Sequence, residues 1–132
     1  MMCLSYDNEI VLGESWAFYL LPVTTQAEKE AAWLLDDAET YPCNDVDDNL
    51  AAWSLFAADA PLDSGAEAQL SLAAIGYGKI DASRYVLYVP VPGFNTPGAP
   101  QTFIGDSPVP EPFSLLLLGS GALLLAIRVR KQ

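Results

Sequence analysis

Residues 25–38 have the sequence TQAEKEAAWLLDDA and begin with a helix-start signal. Thr25 is followed three residues later by Glu28, which is the Ser/Thr-x-x-Glu spacing of a capping box. Apolar side chains then return at helical spacing, at Ala27, Ala31, Leu34, Leu35 and Ala38. The stretch predicts a short amphipathic helix, which needs a partner surface elsewhere in the chain.

Two further segments show a helical period. Asn44 is placed to cap a second helix, and the Ser64-x-x-Glu67 spacing predicts a cap for a third. The apolar face of the second helix is predicted to hold Val46, Leu50, Trp53 and Ala57. That of the third is predicted to hold Ala66, Leu70, Ala73 and Tyr77.

Strand signals lie on both sides of these helices. Residues 16–21 and 85–89 are rich in aromatic and β-branched side chains, and Pro90 is placed to end the second run. The sequence therefore predicts a small α+β domain over residues 1–90, with about three short helices flanked by β-strands. A Pro/Gly-rich linker is predicted over 91–108, within which residues 101–104 are a candidate edge strand.

The composition excludes several classes of function. Residues 1–112 carry all 17 acidic side chains and only three basic ones, a charge that repels nucleic acid. The chain has no His, and no Ser-His-Asp set, phosphate loop or dinucleotide fingerprint is present. The acidic run from Asp45 to Asn49 has Leu50 and Phe56 where an EF-hand loop needs Gly and Glu. We therefore predict a protein that is not an enzyme, with no catalytic residue, metal ligand or cofactor.

The two cysteines, Cys3 and Cys43, do not form a CxxC pair. They form a disulfide if the domain is exported, or they are two unrelated buried thiols if it is not.

The C-terminal end of the chain has three parts in order. Pro110, Glu111 and Pro112 follow Val109 and predict a stiff, extended segment. An apolar run follows, and residues 113–129 are predicted to form a transmembrane helix. The chain then ends in a basic tip that contains Arg128, Arg130 and Lys131. By the positive-inside rule the tip stays in the cytoplasm, so the acidic residues 1–112 face outward.

Residues 109–132 resemble the PEP-CTERM sorting signal of Gram-negative bacteria. The resemblance implies that exosortase, a membrane-embedded transpeptidase-like enzyme, recognises Val109, Pro110, Glu111 and Pro112, and that the basic residues act as stop-transfer charges. It further implies transient anchoring in the inner membrane, and processing that leaves the protein at the cell surface or in a biofilm matrix rich in exopolysaccharide. Export of this kind favours the Cys3–Cys43 disulfide.

Export of the chain requires a signal peptide at its start. The opening residues, MMCLSYDNEI, lack the basic and apolar regions of a signal peptide, so we expect one to lie upstream. The body also resembles the thioester domains of Gram-positive adhesins, with Cys3 in the Cys position and Asn49, before Trp53, where those domains have Gln.

An alternative to the sorting hypothesis is a permanently tail-anchored surface module that binds polysaccharide or calcium.

Overall fold

The computed structural model describes residues 1–4, 17–91 and 101–108. Within these ranges the chain forms an α+β fold with three α-helices and a four-stranded antiparallel sheet. The helices are α1 (Gln26–Thr40), α2 (Asp45–Ser54) and α3 (Ser64–Gly76). The strands are β1 (Met2–Cys3), β2 (Phe18–Pro22), β3 (Tyr85–Pro90) and β4 (Phe103–Asp106). Short 3₁₀ turns lie at Pro42–Asn44, Tyr77–Lys79 and Ala82–Arg84.

Helix α1 occupies the centre of the fold. Thr25 caps it as predicted, because its hydroxyl accepts from the amide of Glu28 while the Glu28 carboxylate accepts from the amide of Thr25. The helix contacts α2, α3 and β4, and it buries Leu34 and Leu35. The predicted capping box and the predicted apolar face of this helix are both confirmed.

The sheet has the strand order β1-β4-β3-β2. On one face of the sheet, the buried Ile104 lies opposite the buried Met2 on one side and the buried Leu87 on the other. Leu87 in turn lies opposite Leu21 of the edge strand, which is exposed. Since the side chain of Tyr85 on this face reaches Asp36 of α1, this is the face that packs on the helices.

Strand β4 lies inside the sheet and not at its edge. It was predicted as an edge strand over residues 101–104 within a linker, but residues 103–106 pair with β3, and Phe103 and Ile104 also pair with β1. The described fold therefore includes part of the predicted linker. The carbonyl oxygen of Thr102 accepts from the amide of Leu4, which extends the contact with the N-terminal strand.

Helix α2 is rotated about its axis from the predicted orientation. Its buried residues are Asp48, Ala51 and Ala52, and Val46, predicted to be on the apolar face, is 70% exposed. The helix also ends at Ser54, so Ala57 lies beyond it. The face that packs consists of Asp48, Ala51 and Ala52, at i, i+3, i+4 spacing. It is less hydrophobic than the predicted face, which included Val46.

None of the helices in the described part of the chain is both long and apolar enough to span a bilayer. The predicted transmembrane helix over 113–129 lies outside the described residues.

Candidate functional site

The residues predicted to form the sorting signal all lie outside the described part of the structure. These are Val109, Pro110, Glu111 and Pro112, together with Arg128, Arg130 and Lys131. The last described strand ends at Asp106, a few residues before this segment. Their assignment stays a prediction.

The described fold contains a groove of about 550 Å³ between the N-terminal strand, the end of α1 and one face of α2. Its apolar side is formed by Met1, Met2, Leu35, Leu50 and Trp53. Polar atoms enter it from Glu39, Asp45 and Asn49. A groove of this volume with a mixed apolar and acidic lining has the size and character of a small-molecule site.

The two cysteines have different hydrogen-bond partners. Cys3 is one of the residues that line the groove, and its thiol donates to Oε1 of Gln101 at 2.9 Å. The exposed Cys43 lies next to Oδ1 of Asn44, with its sulfur 3.5 Å away. The two sulfurs are not bonded to each other in the structure, and their pairing in an oxidising compartment stays a prediction, which thiol counting with and without reductant would test.

The groove also brings together the two positions suggested by the thioester resemblance. Cys3 and Asn49 both line it, although the amide oxygen that accepts from Cys3 belongs to Gln101. The resemblance placed Asn49 in the position of the bond-forming Gln. The structure thus places a different amide side chain beside the thiol.

A second cluster of polar side chains lies where the last turn of α1 meets the first turn of α2 and the second turn of α3. We call it the acidic junction and define it by Asp37, Asn44, Asp48 and Gln69. Asp48 is fully buried, and neither of its carboxylate oxygens has a hydrogen-bond donor. Ionised carboxylates are rarely buried without partners, because the charge loses its hydration.

The amides of the acidic junction point at Asp37. Nδ2 of Asn44 donates to Oδ2 of Asp37 at 3.1 Å, and Nε2 of Gln69 makes a longer contact of 3.5 Å with the same oxygen. The Oε1 atom of Gln69 is buried and has no donor. The junction therefore contains more acceptors than donors.

The electrostatics of the acidic junction favour a neutral Asp48. Burial raises the pKa of Asp48 from 3.8 to about 7, and nearby carboxylates add to this effect, in the order Asp37, Asp47 and Asp45. Asp47 itself lies against Gly65, where a Cβ atom would clash with its carboxylate. The close packing of α2 on α3 thus holds several carboxyl groups at the same helix ends.

In the described ranges, no three Cys, Asp or Glu side chains converge on a point where they could share a metal ion. The acidic junction differs from such a set, since it combines two carboxylates with two amides.

Sequence analysis missed the acidic junction because it tested the run from Asp45 to Asn49 only as an EF-hand loop. The burial of Asp48 depends on where α1 and α3 pack. One local signal was present in the sequence: Asp48, Ala51 and Ala52 have the spacing of a packed helix face with small side chains.

Comparison of the chain with protein-family models, with curated proteins and with solved structures finds no match.

Proposed function

We propose that this chain is an exported surface or matrix protein whose C-terminal segment is a sorting signal processed by exosortase. The observation that carries the proposal is the order of three features after the last described strand: Val-Pro-Glu-Pro, an apolar run over 113–127 and a basic tip. In this proposal the residues of the signal are acted upon by another enzyme and catalyse nothing. The body remains outside the cell, associated with exopolysaccharide.

The charge distribution supports this proposal. The folded part of the chain is strongly acidic, whereas half of the basic residues stand in the last five positions. The basic tip suits retention on the cytoplasmic side. The acidic body has few Lys and Arg residues, which are the charges that oppose transfer across the membrane.

The test is the mass of the mature C-terminus. The full chain, preceded by a signal peptide, is expressed in a Gram-negative host with exosortase and in the same host without it. We expect a C-terminus near Glu111 only where exosortase is present. A chain that ends at Gln132 in both strains would show that the segment is not a processed signal.

A matched pair of proline variants tests the recognition residues. Pro112→Ala is expected to leave the C-terminus intact, whereas Pro108→Ala, outside the Pro-Glu-Pro segment, is expected to be processed like the parent. Equal processing of the two variants would contradict a role for Pro112 in recognition.

A second candidate function is supported by the groove. In this alternative the tail is a permanent anchor, and the body is a surface module that binds polysaccharide beside Trp53. Trp53 lines a groove of about 550 Å³ that the polar residues Asn49 and Asp45 also line, a combination suited to a sugar face and its hydroxyls. Titration of the full chain with acidic and neutral polysaccharides, compared with Trp53→Leu, would measure this directly; equal titration curves for the two proteins would reject it.

A further inference from the structure

The acidic junction contains three buried oxygen atoms that lack hydrogen-bond donors. Two are the carboxylate oxygens of Asp48, and the third is Oε1 of Gln69. The two residues lie on different helices, and both are neighbours of Asp37. Buried acceptors are normally satisfied, so these three need either a proton on Asp48 or a bound cation as their partner.

We propose that Asp48, Asp37 and the amide oxygen of Gln69 bind a calcium ion. Two carboxylates match the double charge of the ion, and Oε1 of Gln69 supplies a neutral oxygen. The proposal goes beyond sorting, because it concerns the folded body and holds whether or not the tail is processed.

The chemistry of the ligands selects the kind of ion. The candidate ligands are all oxygen atoms, which hard cations prefer, and the chain has no His to favour zinc. Calcium accepts irregular sets of carboxylate and amide oxygens completed by water, whereas magnesium requires a nearly ideal octahedron. An irregular junction between three helices therefore suits calcium better than magnesium.

The surrounding charges strengthen the attraction for a cation. Asp45 and Asp47 stand in the first turn of α2 with Asp48, and no basic residue is present in that turn. Asp37 and the neighbouring Asn44 are only half-buried, which leaves a side of the junction open for an ion to enter. The amide of Asn44 already holds Asp37 at 3.1 Å and so orients its carboxylate.

The experiment uses the full chain, freed of metal by chelation and then titrated with calcium chloride. At pH 7.5 we expect one ion per chain by calorimetry, with a Kd of about 10⁻⁴–10⁻³ M, the range of extracellular calcium modules. The melting temperature is expected to rise by about 4 °C or more in 10 mM calcium, with a much smaller rise in 10 mM magnesium.

Two charge-matched variants locate the site. Asp48→Asn is expected to lose the calcium response, whereas Asp59→Asn, which removes a similar charge at an exposed position, is expected to keep it. If Asp48→Asn does not fold, Gln69→Leu takes its place, with an expected loss of affinity of about tenfold or more. The proposal is overturned if calcium leaves the parent chain unchanged, or if Asp48→Asn or its replacement responds like the parent.

This outcome is separate from that of the sorting test. Sorting is measured by the mass of the C-terminus, which Asp48→Asn is not expected to change. Failure of calcium binding would leave the sorting proposal intact, and failure of processing would leave the calcium site intact.

Discussion

The hydroxyl of Tyr85 donates a hydrogen bond to Oδ1 of Asp36 at 2.8 Å and so joins strand β3 to helix α1. Tyr85 is almost fully buried. Its burial is the larger cause, and the hydrogen bond to Asp36 the next, of a pKa that lies well above the ordinary value for a tyrosine hydroxyl. Arg84 approaches the same carboxylate oxygen at 3.8 Å, but both partners of that ion pair are about half exposed. The tyrosine therefore makes the more valuable of the two contacts.

Removal of the Tyr85 hydroxyl is expected to destabilise the domain. Tyr85→Phe keeps the ring in the core and deletes a bond to a charged acceptor, so we expect the free energy of unfolding to fall by about 1–2 kcal/mol. Urea denaturation measures the change. Tyr88→Phe is the control, because the hydroxyl of Tyr88 donates to the Asp106 carbonyl at an exposed position and its loss should cost under about 0.5 kcal/mol. Equal losses for the two variants would contradict the assigned role of Tyr85.

Gly76 is required by the packing of α3 on α1. A Cβ atom at this position would overlap the indole ring of Trp33, and the glycine itself is buried. Gly76→Ala is therefore expected to lower the free energy of unfolding by about 1–3 kcal/mol, despite the better helix propensity of alanine. At Gly78 a Cβ atom would meet nothing within 4 Å, so Gly78→Ala is expected to be neutral or slightly stabilising. Thermal unfolding of both variants tests the contrast, which would be wrong if Gly78→Ala were the more damaging.

The N-terminal cap of α3 is Asp63. Its Oδ1 atom accepts from the amide of Ala66 at 2.9 Å, whereas the sequence had favoured Ser64 as the cap. Asp63→Ala is expected to cost about 1 kcal/mol, because an amide of the first turn loses its acceptor and a favourable charge leaves the helix start. Ser64→Ala, at the first helical residue and exposed, should cost less than half as much. Denaturation midpoints that rank the variants in the opposite order would favour the cap predicted from sequence.

The features that the sequence predicted well depend on neighbouring residues. The capping box of Thr25 and Glu28 is local, and the aromatic run of β3 ends where Pro90 stops it, so both could be predicted without knowledge of the fold. The α+β class follows from the same local patterns.

The features that were missed depend on distant parts of the chain. The interior position of β4 requires pairing with β1, about a hundred residues earlier, which no local period can indicate. The rotation of α2 is similar: Val46 is the more apolar residue, but packing against α1 and α3 buries Asp48 in its place. The acidic junction could not be predicted for the same reason, since its members belong to three helices.

The buried Asp48 is expected to make the stability of the calcium-free chain depend on pH. Its pKa is about 7 in the fold, against 3.8 for an exposed aspartate. Between these values the unfolded chain has lost the proton while the folded chain retains it, so the free energy of unfolding falls as the pH rises from 4 to 7 and then levels off. A difference of about three pH units corresponds to at most about 4 kcal/mol.

Asp48→Asn isolates this effect, because the amide is neutral at every pH and its NH₂ group offers donors to the acidic junction. We expect a flatter stability curve between pH 4 and pH 7, and a free energy of unfolding about 1–3 kcal/mol above the parent at pH 8. Urea denaturation across this pH range, with chelator present throughout, provides the measurement. Asp59→Asn serves as the charge-matched control and should follow the slope of the parent. Parallel curves for the parent and Asp48→Asn would mean that Asp48 does not hold a proton in the fold.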